Sequence, residues 1–206
     1  MARWMCLVVA LVLGAAGTAA GQLPPQKAAQ TFTVSPGLDY KLWASEPLLV
    51  NPTSMDIDPL GRVWVCDSVN YRNRLRNFKK LTRPEGDRIV ILEDSKGTGV
   101  ADRATTFYQH PDIMAPLGIA ILKDATGPGW KVFLAQSPDI LVLEDKDGDG
   151  KADGPPKKLL TGFRGIDHDH GVHGLLIGPD RKLYFSVGDS GVGDLQSSDG
   201  KGRKWT

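Results

Sequence analysis

A repeated pattern of short apolar strands and sharp turns constrains the fold of this chain more than any other feature. Segment 91–108 aligns with segment 142–160. The acidic turns inside them, Asp94 to Asp102 and Asp145 to Asp153, keep a constant offset of 51 residues. A fixed offset of this size is typical of architectures that are built from repeated supersecondary units.

A second series of segments marks where each unit begins, near residues 53, 116 and 173. Each segment contains an apolar strand, a turn, another apolar strand and then a small or acidic residue. Blade-sized repeats of short strands are typical of a β-propeller. The 24 glycines and 14 prolines also favour many turns over long helices. A β-sandwich has many strands too, but it gives no reason for one turn motif to recur at a fixed interval. The sequence therefore predicts an all-β fold of propeller type.

The number of units is small for a propeller. Residues 31–206 hold two complete units and the start of a third, about two and a half blades, whereas propellers typically have four to eight. We therefore expect a partial propeller that is truncated at its C-terminus and belongs to a longer polypeptide. Unpaired sheet edges predict that the isolated chain is unstable or associates.

The N-terminus has the pattern of a secretory signal peptide over residues 1–21, followed by a polar linker over residues 22–30. Arg3 is followed by an apolar run to Ala16 and by small residues up to Gly21. That run is shorter than the roughly 20 residues that a membrane anchor needs. The pattern predicts an exported protein, periplasmic or extracellular. Cys66 would be the only cysteine of the mature chain, so we expect a buried core thiol and no intrachain disulfide.

Overall composition excludes one class of partner. The chain is 41% hydrophobic and has a formal net charge of +1. It lacks the basic stripe that neutralises phosphates, so nucleic-acid binding is not expected.

The segment from Asp167 to Gly191, DHDHGVHGLLIGPDRKLYFSVGDSG, is the richest in chemistry. The pattern predicts a strand from Lys182 to Val187, with turns before and after it. His168, His170 and His173 are predicted on the loop that precedes this unit, and Asp189 on the loop that ends it.

Three interpretations of the histidines remain open. Closely spaced imidazoles and carboxylates suit zinc, copper or iron. One histidine could instead be a general base for a substrate hydroxyl, with Asp189 orienting it. The histidines could also be hydrogen-bonded loop residues that hold one blade to the next.

A second motif, DKDGDGKAD, predicts a calcium turn with Asp145, Asp147, Asp149 and Asp153 as ligands. Acids at positions 1, 3, 5 and 9 with glycine at position 6 wrap oxygen ligands around a hard cation. Pro156 occupies position 12, where an EF-hand has glutamate. The first unit's turn keeps only the first and last acids, so the turn could also be a plain strand connector.

The segment HGVHGLLIGPDRKLYFSVGDSG resembles the soluble quinoprotein glucose dehydrogenases, which are six-bladed propellers that bind pyrroloquinoline quinone. The resemblance implies that His170, eight residues before Gly178, is the catalytic base and that Asp189 is its partner. In that family the base takes the proton of the sugar hydroxyl while hydride passes to the quinone. The glutamine that contacts the quinone in the family falls near Ile113, where an apolar side chain cannot replace it.

A resemblance over residues 31–206 is wider. The segments GLDYKLWASEPLLVNPTSMDIDPLGRVWVCDSVNYR, RPEGDRIVILED and HDHGVHGL resemble the N-terminal propeller of the large exported proteins of planctomycete-type bacteria that are labelled membrane-bound dehydrogenases. Those proteins continue into helical repeats and often a cytochrome c domain with a CxxCH haem motif. The resemblance thus implies haem only in a C-terminal domain that is missing here, and membrane association only for the longer protein.

Two functions follow as expectations. The first is a glucose/sorbosone dehydrogenase-like oxidoreductase that oxidises a sugar or other alcohol, in which this fragment alone would be inactive. The second is a non-catalytic propeller that binds carbohydrate or protein. The basic insertion at residues 70–80 could line the site of either, or form a solvated loop.

Overall fold

The computed structural model describes residues 22–73 and 80–198, together with the backbone of residues 204–205. The predicted signal peptide and most of the basic insertion lie outside the described residues. The chain divides between residues 39 and 40 into two compact parts, here called the N-terminal part and the C-terminal part. Among the residues described, no helix has the length and apolarity of a membrane span.

The N-terminal part contains helix α1, Pro25–Ala29, inside the segment predicted as a linker. Proline is well suited to the first helical turn because its φ is already helical and an N–H there has no partner within the helix. Thr31 Oγ1 donates a hydrogen bond of 2.7 Å to the Ala28 carbonyl just after the helix.

The C-terminal part is built from β-strands, which confirms the predicted all-β fold. Twelve strands are numbered in chain order: β1 Pro52–Ile57, β2 Val63–Asp67, β3 Arg88–Glu93, β4 Arg103–Gln109, β5 Gly118–Lys123, β6 Trp130–Gln136, β7 Asp139–Asp145, β8 Lys157–Phe163, β9 Val172–Ile177, β10 Leu183–Val187, β11 Val192–Ser197 and β12 Lys204–Trp205. The first strands of the three units begin at residues 52, 118 and 172.

The strands form antiparallel sheets in the order expected of propeller blades. The first sheet has the order β1-β2-β3-β4, and strands β5 to β8 form a second meander of the same kind. Strands β9 and β10 form a separate hairpin. Strands that are consecutive in the chain thus pair with each other in the sheet, so short turns are enough to connect them.

The core lies between the sheets. Trp64 and Ile91 of the first sheet pack with Trp130 and Leu134 of the second. Val172 and other residues of the third unit join the opposite face of the second sheet. These sheets are apolar on both faces because each lies between two others or beneath a covering segment, as residues 43–49 cover the first sheet.

The first strands of the three repeats lie side by side. Thr53 Oγ1 donates a 2.6 Å hydrogen bond to the Pro116 carbonyl, and the Gly174 amide donates a 3.3 Å bond to the Leu117 carbonyl. A Cβ at Gly118 would lie 3.0 Å from the Gly174 amide nitrogen, so this approach favours glycine. The loops before β1, β5 and β9 therefore meet at one end of the sheets.

Strand β11 does not continue the third hairpin. It pairs with β8, with Val192 opposite Phe163, and extends the second sheet to six strands together with β12. The exposed edge of β8 offers unpaired backbone groups, and β11 satisfies them. At Gly162, φ is +113° and a Cβ would lie 2.4 Å from the Asp194 carbonyl oxygen, so only glycine allows this pairing.

The two ends of the sheets carry different chemistry. The loop 164–171, here the histidine loop, lies between β8 and β9 at the end where the first strands begin, which we call the histidine end. The acidic turn, Asp145–Asp153, lies between β7 and β8 at the opposite end. Since β7 spans seven residues, the two ends are about 20 Å apart.

Candidate functional site

The structure places most of the predicted histidine site where the sequence put it. His168 and His170 lie on the histidine loop, and Asp189 follows β10. The position predicted for His173 was wrong, because it is the second residue of β9. Its Nδ1 hydrogen-bonds the Gly171 carbonyl at 3.0 Å, which ties its side chain to the backbone.

His170 and Asp189 are in direct contact. His170 Nδ1 hydrogen-bonds Asp189 Oδ1, and both side chains are open to solvent. A carboxylate on Nδ1 holds the proton there and leaves the lone pair on Nε2. A neutral imidazole in this state can accept a proton at Nε2, and the carboxylate stabilises the imidazolium that forms. The catalytic role of the pair stays a prediction.

Backbone contacts bring the two loops of this pair together. The Gly188 amide donates to the Gly171 carbonyl at 2.9 Å, and the Ser190 amide donates to the His170 carbonyl at 3.2 Å. A Cβ at Gly188 would lie 2.7 Å from the backbone of His170. Glycine at 188 is therefore what allows Asp189 to reach the imidazole.

An arginine from the loop between β2 and β3 completes the site. Arg72 Nη2 donates a 2.5 Å hydrogen bond to Asp169 Oδ1, and Arg72 Nε donates to the Tyr71 hydroxyl at 3.0 Å. The hydrogen bond from Arg72 lowers the pKa of Asp169 to about 2. Arg72 has a φ of +59°, a strained conformation for a residue with a side chain. Asp169 Oδ1 also lies 3.8 Å from His170 Nε2, so Arg72 and the imidazole share this carboxylate.

These side chains line an open depression of about 480 Å³ at the histidine end. Its lining residues are Arg72, His168, His170, Asp189 and Ser190. Arg72 is the one described residue of the predicted basic insertion that lines it. The sequence alone could not assign Arg72 to the site, since its partner Asp169 is 97 residues further along the chain.

A metal ion is disfavoured by the contacts already present. Ligand atoms of His168, Asp169 and His170 lie within 4.8 Å of one another. However, the His170 amide donates to His168 Nδ1 at 3.1 Å, which places the proton of a neutral His168 ring on Nε2. Arg72 already neutralises Asp169. The arrangement suits a general base better than a transition-metal centre.

Asp189 has counterparts in the other two units. Asp67 accepts from the Asn51 amide at 2.8 Å, and Gln136 accepts from the Met114 amide at 2.8 Å. Each of the three side chains thus holds the segment that precedes its own unit. Serine follows at 68, 137 and 190, and this shared serine was the sequence signal for the equivalence. The units differ in exposure, since the side chain of Asp67 is 0% exposed and that of Asp189 is 78% exposed.

Comparison with known proteins places the chain in a family. A family model described as a domain of unknown function, DUF7133, matches residues 24–205. The chain belongs to this family. No curated protein and no solved structure matches it.

The acidic turn of the DUF7133 chain brings together three of its four predicted ligands. Ligand atoms of Asp145, Asp147 and Asp149 lie within 4.8 Å of one another. Burial raises the pKa of Asp145, and the neighbouring carboxylates add to that effect against hydrogen bonds from two backbone amides. Asp153 lies outside the cluster and accepts from the Lys146 amide at 2.5 Å. This hydrogen bond from the Lys146 amide closes the turn.

The described residues do not form the quinone site that the family resemblance implies. Ile113, at the position of the quinone-contacting glutamine, is fully buried in the core. Among the residues that the structure describes, the depression has one cation, Arg72, and Asp169 already pairs with it. A quinone with several carboxylates needs more positive charge than this.

Cys66 is buried and unpaired with another cysteine, as the sequence predicted. Burial raises the pKa of its thiol, and the charge of Asp87 raises it further. A neutral, inaccessible thiol cannot act as a nucleophile, so Cys66 is a core residue.

Proposed function

We propose that this chain carries the general base of an exported, quinoprotein-like dehydrogenase propeller that oxidises a sugar or other alcohol. The observation that carries the proposal is the contact between His170 and Asp189 at the edge of an open depression. Carboxylate, imidazole and a solvent-accessible Nε2 are the components of a base that removes a hydroxyl proton.

The residues would act in the following order. A substrate hydroxyl binds in the depression and its proton passes to His170 Nε2. Asp189 stabilises the imidazolium from the Nδ1 side, and Asp169 stabilises it from the Nε2 side. Arg72 holds Asp169 in place through its 2.5 Å hydrogen bond. Proton removal is the part of an alcohol oxidation that these residues can perform.

The test is dye-linked oxidation by the complete polypeptide that the gene encodes, supplied with pyrroloquinoline quinone and calcium. Aldoses and simple alcohols are the substrates. We expect His170→Ala to lower kcat by roughly 100- to 10,000-fold, the usual contribution of a general base. Asp189→Asn should lower it less, because the imidazole remains.

His110→Ala is the matched control. His110 also pairs with an aspartate, since its Nδ1 lies 3.1 Å from Asp112 Oδ2, but it does not line the depression. It should leave kcat unchanged. Equal activity of His170→Ala and wild type would show that the proposed base is wrong.

A second candidate function is non-catalytic binding of carbohydrate or protein. The equivalence of Asp189 with Asp67 and Gln136 favours it, since those two side chains only anchor loops. In that case calorimetry would detect sugar binding, and no dye would be reduced. His170→Ala would then change the affinity alone.

A further inference from the structure

A second cavity of about 380 Å³ lies beside the hairpin between β6 and β7 and extends along β7 to the start of β8, and we call it the Asp139 cleft. Its walls come from the loop before β5, the hairpin between β6 and β7, the start of β8 and the first part of the histidine loop. A cavity of this volume is of the size that takes a small organic molecule. It shares no lining residue with the depression around His170.

The lining of the Asp139 cleft carries excess negative charge. Asp112, Asp139 and Asp167 contribute three carboxylates, and Lys158 is the one lysine or arginine among the lining residues. Asp167 has a φ of +62° and is 5% exposed, so the loop holds it in a strained, buried position. The charge balance favours a cationic ligand.

Asp139 has a carboxylate oxygen with unfilled bonding capacity. It is 8% exposed, and its Oδ2 lies 2.9 Å from Lys158 Nζ. Its Oδ1 is buried and has no hydrogen-bond partner among the residues that the structure describes. A buried carboxylate oxygen without a donor is unusual and unfavourable.

Lys158 is a replaceable partner for this carboxylate. Its side chain is 58% exposed, whereas that of Asp139 is 11% exposed. The long, solvated lysine can leave without unfolding anything, while Asp139 is held at the first residue of β7. A ligand ammonium has three donors and can serve both oxygens, where Lys158 contacts one.

The remaining walls of the cleft are apolar apart from Gln136 and Ser137, whose side chains already hydrogen-bond backbone groups. Met114, Leu141 and Ile166 line it together with prolines at 111, 138 and 156. These surfaces can contact a hydrocarbon chain but cannot hydrogen-bond a hydroxyl-rich body. The ligand that fits is therefore cationic at one end and aliphatic behind it.

We propose that the Asp139 cleft binds a small aliphatic primary amine, whose ammonium group replaces Lys158 on Asp139. The inference is independent of the proposed function, because no residue of the His170 site takes part. It makes an unusual prediction: removing a lysine from the site should strengthen the binding of a cation.

The experiment is calorimetric titration with 1-aminopentane as the probe. Lys158→Met removes the competing ammonium and should tighten binding about tenfold relative to wild type. Asp139→Asn should weaken it at least tenfold. Lys157→Met is the matched control, because Lys157 is the adjacent residue of β8 and pairs instead with Glu144 at 2.9 Å. It should leave the affinity unchanged.

The outcomes separate the proposal from its alternatives. Weaker or unchanged binding in Lys158→Met overturns it, as does the absence of binding in both wild type and Lys158→Met. Wild-type protein also receives 1-pentanol, which has the same chain without charge. Equal affinity for the alcohol and the amine overturns ammonium recognition even if Asp139→Asn fails to fold.

Discussion

At the scale of single residues, equivalent positions in the repeat differ in burial and in the contacts that they make. Asp67 and Asp189 occupy the same place in their units, yet Asp67 is buried against Arg83 at 3.1 Å and Arg88 at 2.8 Å. Burial alone would raise the pKa of Asp67. Hydrogen bonds from the Asn51 amide and Arg88 outweigh burial and hold that pKa below its usual value. Asp67 is therefore a structural anchor, whereas the exposed Asp189 is available for chemistry.

We expect Asp67→Asn to lower the free energy of unfolding by about 3 kcal/mol at pH 7, since an amide leaves two arginines without their carboxylate. Because the folded pKa of Asp67 is depressed, its stabilisation is complete above about pH 4 and is lost as the pH falls below that value. The difference from wild type should therefore shrink at pH 3. Urea denaturation at both pH values measures it.

The control for this prediction is Asp169→Asn. Asp169 also pairs with an arginine, Arg72, but the side chain of Asp169 is 56% exposed, whereas that of Asp67 is 0% exposed. Its substitution should cost much less stability, because exposed ion pairs contribute little. A loss equal to that of Asp67→Asn would contradict the assignment of Asp67 as the buried anchor.

At the scale of elements, the two acidic turns are the same connector with different charges. Asp94 accepts from the Gly99 amide at 2.6 Å as Asp145 accepts from the Gly150 amide at 3.1 Å. The first turn balances its acids internally, since Lys96 Nζ lies 3.1 Å from Asp102 Oδ2. In the second turn Asp147 stands where Lys96 does, which places a carboxylate beside Asp145 and Asp149 where the first turn has a lysine.

We expect calcium at ten times its dissociation constant to raise the Tm of the wild-type protein by about 4 °C, since binding to the folded state alone adds roughly 1.4 kcal/mol. The double substitution Asp147→Lys with Asp149→Thr copies the first turn. It should remove the effect of calcium and keep the fold. Thermal unfolding monitored by circular dichroism, with magnesium as the ionic control, measures this.

An equal Tm shift in wild type and the double variant would show that the second turn is a connector alone. So would an equal shift with magnesium, which demands stricter octahedral geometry and holds its water more tightly than calcium. Either result would remove calcium from the chemistry of this chain, and His170 would be unaffected, because it lies at the other end of the sheets.

At the scale of the whole molecule, two sheet faces expose apolar side chains. Met55 and Ile57 project from β1, and Leu176 and Tyr184 lie opposite each other on β9 and β10. All four are at least half exposed. Equivalent faces elsewhere in the molecule are buried between adjacent units. A six-bladed parent propeller would cover these faces with further blades, and this stays a prediction.

We expect the isolated chain to self-associate in solution, because exposed apolar patches on sheet faces are contact surfaces. The double substitution Ile57→Lys with Leu176→Lys should make the chain monomeric. Sedimentation velocity at about 50 μM protein measures this, since weak contacts form at such concentrations. Leu60→Lys is the control, since Leu60 is also exposed but lies on the turn after β1. A monomeric wild type would contradict the prediction.

Much of the fold and part of the site follow from local sequence. β-Branched and aromatic residues between turn signals predicted a strand from Lys182 to Val187, and the structure has this strand at Leu183–Val187. Local sequence is sufficient here because strand propensity and turn geometry depend on neighbours in the chain. The His170 and Asp189 pair was predicted from a family resemblance, and the structure brings the two side chains into contact.

What the tertiary structure alone decided are contacts between residues far apart in sequence. Arg72 meets Asp169, β11 pairs with β8 rather than with its own hairpin, and Lys158 covers Asp139 across two strands. Local pattern cannot specify such contacts, since they depend on how whole sheets stack and on which edges are left unpaired. The sequence by itself determined the strands, the turns and the chemical groups; packing decided which of those groups face each other.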